Sequence, residues 1–443
     1  MSRRAAFAAD AQETGVVVGL SHEGAGIVRE GKTALVAGAL PGETVRFRRW
    51  RRHRQYDEAR LEAVLTPAAN RVQPRCAHFE ICGGCALQHL DAASQLTLKQ
   101  QQLAENLERI GRLTPPRWLA PIRSPAWGYR RRARLGVKYV ARKGGVLVGF
   151  RERASHLIAQ LARCEVLAAP IGELITPLAS LIGELSIREQ LPQIEVAVGD
   201  QAAALVLRVL AAPSEEDLAR LRAFEVQHGL HLYLQTGGID TVRPLSDPSA
   251  PLSYALPEAG LELEFTPTDF IQVNAQVNRA LVAAAGDLLE LTSEADVLDL
   301  YCGLGNFSLA LARRAKSVVG VEGEAKLIER ARANAHRNGI GNAQFHQADL
   351  AGADLSHASW LQRMYSHVLL DPPRIGAREM LPAIARLAPQ RVLYVSCHPG
   401  TLARDLGILV HEHGFELLAA GVVDMFAHTA HVESLALLGP SRA

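Results

Sequence analysis

Four stretches of the 443-residue chain hold side chains whose types and spacing could do chemistry: Asp299–Asn306, Asp371–Arg374, Ser396–Thr401 and His428–Ser434. In the first, Val297-Leu298-Asp299-Leu300-Tyr301 reads as a buried strand running into Cys302-Gly303-Leu304-Gly305-Asn306 and an apolar helix. Glycines at a strand-to-helix turn let a ligand approach the backbone at the helix start. The third glycine of the dinucleotide fingerprint is missing, and Glu322 ends the next strand, nineteen residues after Gly303. An acid there can accept both hydroxyls of a ribose. With no pyrophosphate to house, S-adenosylmethionine fits this turn better than a dinucleotide. Cys302 reads as a small packed residue.

The other three stretches suggest covalent catalysis. Carbon 5 of a uracil is a poor nucleophile until a thiolate adds at carbon 6 and makes an enolate. Cys397, at a strand end with Pro399-Gly400-Thr401-Leu402 opening a helix behind it, could supply that thiolate if the helix N-terminus or a cation lowers its pKa. A base must then remove the carbon 5 proton, and Glu433 at the start of the final strand could do so. Taken singly, Cys397 reads as a core cysteine, Asp371 as a turn residue and Glu433 as a solvated acid. Arg374 stands where amino-group methyltransferases carry an aromatic after Asp-Pro-Pro, which argues against that class.

The elements that must position these groups follow from periodicity. Candidate strands at 295–301, 317–321, 343–347, 366–370, 391–395, 415–424 and 432–438, with helices between the earlier ones, predict a doubly wound α/β sheet whose last two strands pair antiparallel. Ligands in such sheets sit beyond the carboxyl ends of the strands, where all four stretches fall. Upstream, short strands between 14 and 65, punctuated by Gly24, Gly31 and Pro41-Gly42, predict a small OB-like β-barrel. The helix expected over 92–112, the alternating runs at 134–140, 146–150, 194–198, 203–209 and 230–234, and a helical insert near 213–228 predict a mixed α+β middle domain. Expected boundaries are 1–68, 69–265 and 266–443, with helix 92–112 able to pack on the C-terminal domain.

The net charge of +2 conceals two basic runs. Seven arginines lie between Arg46 and Arg60 with Phe47, Trp50 and Tyr56, and ten basic residues between Arg123 and Arg153 with Trp127, Tyr129, Tyr139 and Phe150. Guanidiniums for phosphates mixed with rings for bases suit single-stranded RNA. Residues 1–10 lack an apolar stretch long enough for a signal peptide, and no run is apolar enough to span a membrane, so a cytoplasmic protein is expected.

Gly24-Ala25-Gly26-Ile27-Val28 with Val36 to Glu43 resembles the TRAM domain, an RNA-binding barrel. The motifs around Asp371, Cys397 and Glu433 resemble the bacterial RNA 5-methyluridine methyltransferases, and with the barrel and the cysteines described next they resemble the branch acting on 23S ribosomal RNA at a 1939-type uridine. That resemblance implies a Rossmann-like catalytic domain, Cys397 as nucleophile and Glu433 as base. It implies a cofactor site lined by Gln272, Tyr301, Asn306, Glu322, Asp349 and Asp371, and a monomer acting on a flipped uridine in a loop or single-stranded region. His398 and Tyr301 stand where Asn and Phe are common, and neither is a reacting group. Methylation of another ribosomal or transfer RNA uridine, of cytidine carbon 5, or a non-catalytic role in ribosome assembly remain as rivals.

Cys76, Cys82 and Cys85 lie within ten residues, and Cys164 is the one further cysteine before the catalytic domain. Four thiolates suit zinc or an iron–sulfur cluster, and spacing does not choose between them. The Cys-x3-Cys-x2-Cys spacing of radical adenosylmethionine enzymes is absent. The family resemblance implies a [4Fe-4S] cluster on Cys76, Cys82, Cys85 and Cys164.

Overall fold

The computed structural model describes residues 12–247, 250–352, 355 and 357–441; residues 1–10, read above for a signal peptide, lie outside that set. The chain forms two compact units. One gathers the residues up to Lys99 with Arg151–Leu157 and Phe426–His431, and the other holds the remainder.

In the first unit, β1 (Glu13–Leu20), β2 (Gly26–Val28), β3 (Ala34–Ala37), β4 (Thr44–Arg52) and β5 (Asp57–Thr66) close a barrel in the order β1-β2-β3-β5-β4. Strand alternation turns Val17, Val28, Val36, Val45, Phe47 and Ala59 inward. Gly26 is required by the tight interior: a Cβ there would stand 2.9 Å from the backbone oxygen of Ala39. Glu43 is fully buried. Burial works to raise its pKa, but Arg71 and the N–H groups of Leu40 and Ala68 outweigh that and hold it below the usual value.

The cysteine-bearing loop follows the barrel, then α1 (Ala92–Asn106) begins in this unit. Its Gln95 accepts from His428 N–H at 3.0 Å and its Lys99 donates to the Phe426 carbonyl at 2.9 Å, while Ala86 and Leu87 N–H both reach the His428 carbonyl at 2.9 Å. Phe426–His431 thus forms part of this unit, although it falls between two strands of the other.

In the second unit, α1 ends in a π-helical turn at Leu107–Gly111. Leu103, Leu107 and Leu113 enter the core of the C-terminal sheet, and Gly111 lies so close to the helix Pro399–His413 that a Cβ would meet the Ala403 oxygen at 2.6 Å. A six-stranded sheet comes next: β6 (Arg132–Val140), β7 (Gly145–Gly149), β8 (Gln193–Val198), β9 (Ala203–Arg208), β10 (His231–Gln235) and β11 (Val242–Pro244), ordered β11-β10-β9-β8-β6-β7. It carries α2 (Ile175–Glu184), which the sequence reading did not pick out, and α3 (Glu215–His228), which it did. Ser214 and Asp217 form a reciprocal cap on α3. The hairpin β12 (Leu252–Leu256) and β13 (Leu261–Phe265) was also unmarked by periodicity.

The C-terminal sheet has seven strands: β14 (Asp296–Leu300), β15 (Ser317–Glu322), β16 (Ala343–Gln347), β17 (His367–Leu370), β18 (Arg391–Ser396), β19 (Phe415–Val423) and β20 (Glu433–Pro440). Each predicted strand of this sheet is present within two residues of its expected ends. The order is β16-β15-β14-β17-β18-β20-β19, with β20 antiparallel to both neighbours and the other central pairs parallel. Helices α4 (Ala275–Leu288), α5 (Ser308–Ala312), α6 (Ala325–Arg337), α7 (Leu381–Leu387) and α8 (Pro399–His413) accompany it.

Candidate active site

Parallel pairing brings the carboxyl ends of β14, β15, β17 and β18 to one edge. The β14 turn is sharp: Tyr301 adopts φ 65°, Gly303 56° and Gly305 95°, all in the left-handed region. For a tyrosine that conformation is strained, and the Tyr301 and Cys302 N–H groups are held there by the Val321 carbonyl at 2.8 and 3.1 Å. A Cβ on Gly303 would meet nothing within 4 Å, so open space lies above the turn. Beneath it, Cys302 is buried and lies 2.9 Å from where a Gly320 Cβ would stand, a packing residue as expected.

Glu322, at the end of β15, accepts from Gly303 N–H at 3.2 Å and from Gly323 and Glu324 N–H at 2.7 and 3.1 Å. Three backbone donors fix the carboxylate, which suits it to hold a diol. Asp299 is fully buried: Ser308 donates to its Oδ2 at 2.5 Å, and its Oδ1 has no hydrogen-bond partner among the described residues. Burial pushes its carboxyl up to about 7, with Asp371 and Glu322 adding to the effect. Asp371 follows β17 and accepts from Gln272 Nε2 at 3.3 Å; burial pushes it up to about 7 as well. Asp349, beyond β16, accepts from Ala351 N–H at 3.0 Å. The open turn, the fixed Glu322 and the orphaned buried oxygen of Asp299 fit an adenosylmethionine-type ligand.

Asn306 stands apart from the open turn in its bonding. Its amide is engaged in two reciprocal 2.9 Å hydrogen bonds with Asn278 on α4, and it also accepts from the Tyr254 hydroxyl at 2.9 Å. Tyr254 and Asn278 were missed by sequence reasoning because neither lies in a motif.

The candidate nucleophile and base lie at the ends of β18 and β20. Their register pairs Ser396 with Ser434, so Cys397 and Glu433 are the next residues outward on neighbouring strands. Glu433 is buried and Cys397 half-buried. Burial pushes the Cys397 thiol up from its usual value, and the carboxylates of Glu433 and Asp371 push it further, while Arg374 pulls it down. The helix start behind Cys397 does not by itself lower the thiol. Two neighbouring carboxylates and burial outweigh one cation and the backbone. α8 does begin directly behind the thiol, capped by His398 Nδ1 accepting from Thr401 N–H at 3.2 Å.

Comparison with known proteins agrees with this geometry. Residues 255–440 match the family model of tRNA (uracil-5-)-methyltransferases. The fold matches that of a tRNA (uracil-54, C5)-methyltransferase from Pyrococcus abyssi, solved in complex with S-adenosyl-L-homocysteine, with a TM-score of 0.75, 23% identity, and coverage of 96% of this chain and 99% of that one. Curated 23S rRNA (uracil(1939)-C(5))-methyltransferases RlmD are similar over almost the full length. That of Alkalilimnicola ehrlichii is 53% identical, covering 95% of each chain, and that of Nitrosococcus oceani 51%, covering 96% of this chain and 95% of its own. The chain belongs to the RlmD family of 23S rRNA (uracil-C5)-methyltransferases.

In this RlmD-family chain, several arginines of the two basic runs are engaged within the fold. In the barrel, Arg48 pairs with Glu62, Arg49 with Glu13 and Asp57, and Arg60 lies over Trp50. In the central sheet, Arg131 is tied to Asp200, Arg134 to Glu195, and Arg132 to the Pro267 carbonyl. Phe47 and Tyr129 are buried, so they pack the interior and cannot stack on bases. A run of arginines in sequence does not reveal which ones face carboxylates across a sheet.

Among the described residues no two cysteines of this RlmD-family chain form a disulfide. In the first unit, Arg153 donates to the Cys82 and Cys85 carbonyls at 3.3 and 2.9 Å and lies 4.3 Å over the Phe79 ring. Burial lowers its pKa, and Cys82, Cys85 and Glu80 oppose that effect. A partly buried cation held against two thiols, in a loop with a third at Cys76, suits an anionic thiolate-bound group in donor chemistry. Among the described residues, however, no three His, Cys, Asp or Glu side chains form a group that could hold a metal ion. In the second unit, Cys164 N–H donates to the Gly172 carbonyl at 2.9 Å.

Proposed function

We propose that this chain methylates carbon 5 of a uridine in 23S ribosomal RNA, at the 1939-type position in the names of its relatives, by covalent catalysis through Cys397. The observation that carries the reading is the register setting Cys397 and Glu433 side by side at the carboxyl edge of the sheet, with Asp371 close enough to act on the same thiol.

Cys397 gives up its proton to solvent and its sulfur adds to carbon 6 of the uracil; the carbon 5–carbon 6 double bond opens and its electrons move to carbon 5 and the O4 enolate. Carbon 5 takes up the electrophilic methyl group that adenosylmethionine would supply when bound over the β14 turn, with S-adenosylhomocysteine as the leaving group. Gln272, Tyr301, Asn306, Glu322, Asp349 and Asp371 line that cofactor site, with Asn306 acting through its pairing with Asn278. Glu433 then takes the carbon 5 proton, the carbon 5–carbon 6 double bond reforms, and the thiolate of Cys397 leaves. Such chemistry needs both faces of the base, so the uridine is flipped out of a loop or single-stranded segment.

The supporting regions have their own roles in this reading. The barrel at 1–68 acts as a TRAM-like RNA grip, residues 69–265 form the cysteine-bearing and central RNA-binding region, and 266–443 the catalytic domain. Cys76, Cys82, Cys85 and Cys164 hold a [4Fe-4S] cluster, supported by their thiolate chemistry and by Arg153, and no catalytic step passes through it. No helix among the described residues is long and apolar enough to cross a membrane, and the protein acts as a cytoplasmic monomer.

The test is nucleoside mass spectrometry of 23S RNA incubated with the protein and labelled adenosylmethionine. 5-Methyluridine at one position supports the reading. Labelled 5-methylcytidine, or RNA binding with no transfer, would overturn it.

A further inference from the structure

Between Asp371 and α7, the chain runs through Pro372, Pro373, Arg374, Ile375, Gly376 and Ala377, and this loop is fastened to α8 at three points. The Arg374 carbonyl accepts from Thr401 Oγ1 at 3.1 Å, and the Ile375 carbonyl accepts from the Arg404 guanidinium at 2.8 Å. Ala377 N–H donates to Asp405 Oδ2 at 2.8 Å and to the Tyr394 hydroxyl oxygen at 3.0 Å. The Tyr394 hydroxyl in turn donates to Asp405 Oδ2 at 2.6 Å, and Arg404 Nε donates to Oδ1 at 2.8 Å.

Asp405 is fully buried on the apolar side of α8, beside Leu402, Leu406 and Leu409. A carboxylate on such a face is not a cheap source of stability, because desolvation consumes most of the gain. Both its oxygens are satisfied, and all its partners converge on the loop carrying Arg374. Gly376 closes the arrangement: it adopts φ +87°, and a Cβ there would lie 2.4 Å from Asp405 Oδ2 and 2.5 Å from an Arg404 nitrogen. Tyr394 is three residues before Cys397 on β18, so the same clasp spans the strand end that presents the thiol.

We infer that Tyr394 and Asp405 are positioning residues that clamp the Arg374 loop onto α8, holding the Arg374 cation where it favours the Cys397 thiolate. The inference rests on the reading of Cys397 as nucleophile. In the ligand-free site two carboxylates and burial oppose ionisation, and Arg374 is the side chain working the other way. A guanidinium that drifted by a few ångströms would lose most of that influence to solvent screening.

The test follows alkylation of Cys397 by iodoacetamide against pH in the full chain, with the Cys397 peptide quantified by mass spectrometry, alongside methyl-transfer kinetics. Arg374→Gln should move the alkylation profile to higher pH. Tyr394→Phe, which removes one hydroxyl and keeps the ring, should move it the same way, slowing alkylation at neutral pH by roughly tenfold, as one step in a thiol's pKa implies. kcat should fall with it while KM for the cofactor holds. Gly376→Ala should reproduce the shift by a different route, and thermal melting of Tyr394→Phe beside the parent separates it from general unfolding. A Tyr394→Phe protein that folds, loses activity and keeps the parent profile would overturn the inference, as would an unchanged profile in Arg374→Gln. Methyl transfer surviving in Cys397→Ala would instead remove the nucleophile assignment, a distinguishable failure.

Discussion

Cys397 and Glu433 occupy neighbouring strand ends, one step beyond the Ser396–Ser434 pair of the antiparallel β18–β20 ladder. β20 is also bonded along β19, where Glu433 pairs with Val423, so its backbone position is fixed by the ladder. In the proposed mechanism, a nucleophile and a base on adjacent strands would keep their separation through addition and elimination. The same closeness opposes ionisation of the thiol, and the proposed mechanism therefore calls on Arg374 to favour the thiolate.

Glu433→Gln should uncouple the two half-reactions. Addition and methyl transfer proceed, but elimination slows by about 100- to 10,000-fold, the usual worth of a general base. A covalent protein–RNA adduct should then accumulate on a denaturing gel. Slow turnover without any adduct would assign proton removal to another group.

Replacing Glu322 tests the cofactor turn. Glu322→Ala removes a carboxylate fixed by three backbone N–H groups, and loss of charge-assisted hydrogen bonds to a diol costs about 1.5–3 kcal/mol, roughly 10- to 100-fold in affinity. Calorimetric titration with S-adenosylhomocysteine measures this. Unchanged affinity would place the ribose elsewhere.

Asp299 makes stability depend on pH in an unusual direction. Its folded carboxyl, pushed up to about 7 by burial, lies above the unfolded value of 3.8. The folded state therefore holds the proton more tightly, and its stabilising contribution is complete below about pH 4 and disappears as pH rises through about 7. Relative to Asp299→Asn, the ligand-free parent should lose on the order of a few kcal/mol over that interval in urea denaturation. Parallel curves for the two proteins would mean that Asp299 is ionised in the fold.

Anaerobic purification followed by iron and sulfide assays tests the cysteine loop. About four irons and four sulfides per chain are expected for a [4Fe-4S] cluster, lost together in Cys82→Ala. Stoichiometric zinc with no sulfide would replace the cluster with a structural metal site.

Much of the C-terminal sheet was legible because buried parallel strands are continuous apolar runs, and Val368–Leu370 or Val392–Val395 admit few other readings. The placement of Asp371, Cys397 and Glu433 at neighbouring strand ends was legible because they sit in contiguous motifs. What escaped was held by partners distant in sequence: Asn278 to Asn306, Tyr254 to Asn306, and Asp405 to Tyr394 and Ala377. Asp405 did leave a trace, a lone acid in the leucine stripe of α8, and a charge on an apolar helix face is a sign of a buried network. The basic runs misled in the opposite sense. Arginines such as Arg49 and Arg131 are answered by carboxylates that alternation along a single strand cannot reveal.

The excursion of Phe426–His431 bears on how the chain is made. The unit that contains the barrel lacks six of its residues until β19 has been synthesised, since they come after it. Domains commonly finish folding in order as they are synthesised; here the barrel's unit must wait for strands of the other unit, with contacts such as Gln95 to His428 spanning 333 positions. Such late closure lengthens the search for the native state. It also means that neither unit can be cut free at a single peptide bond, and that Glu433 enters its strand only two residues after the chain has completed its partner unit.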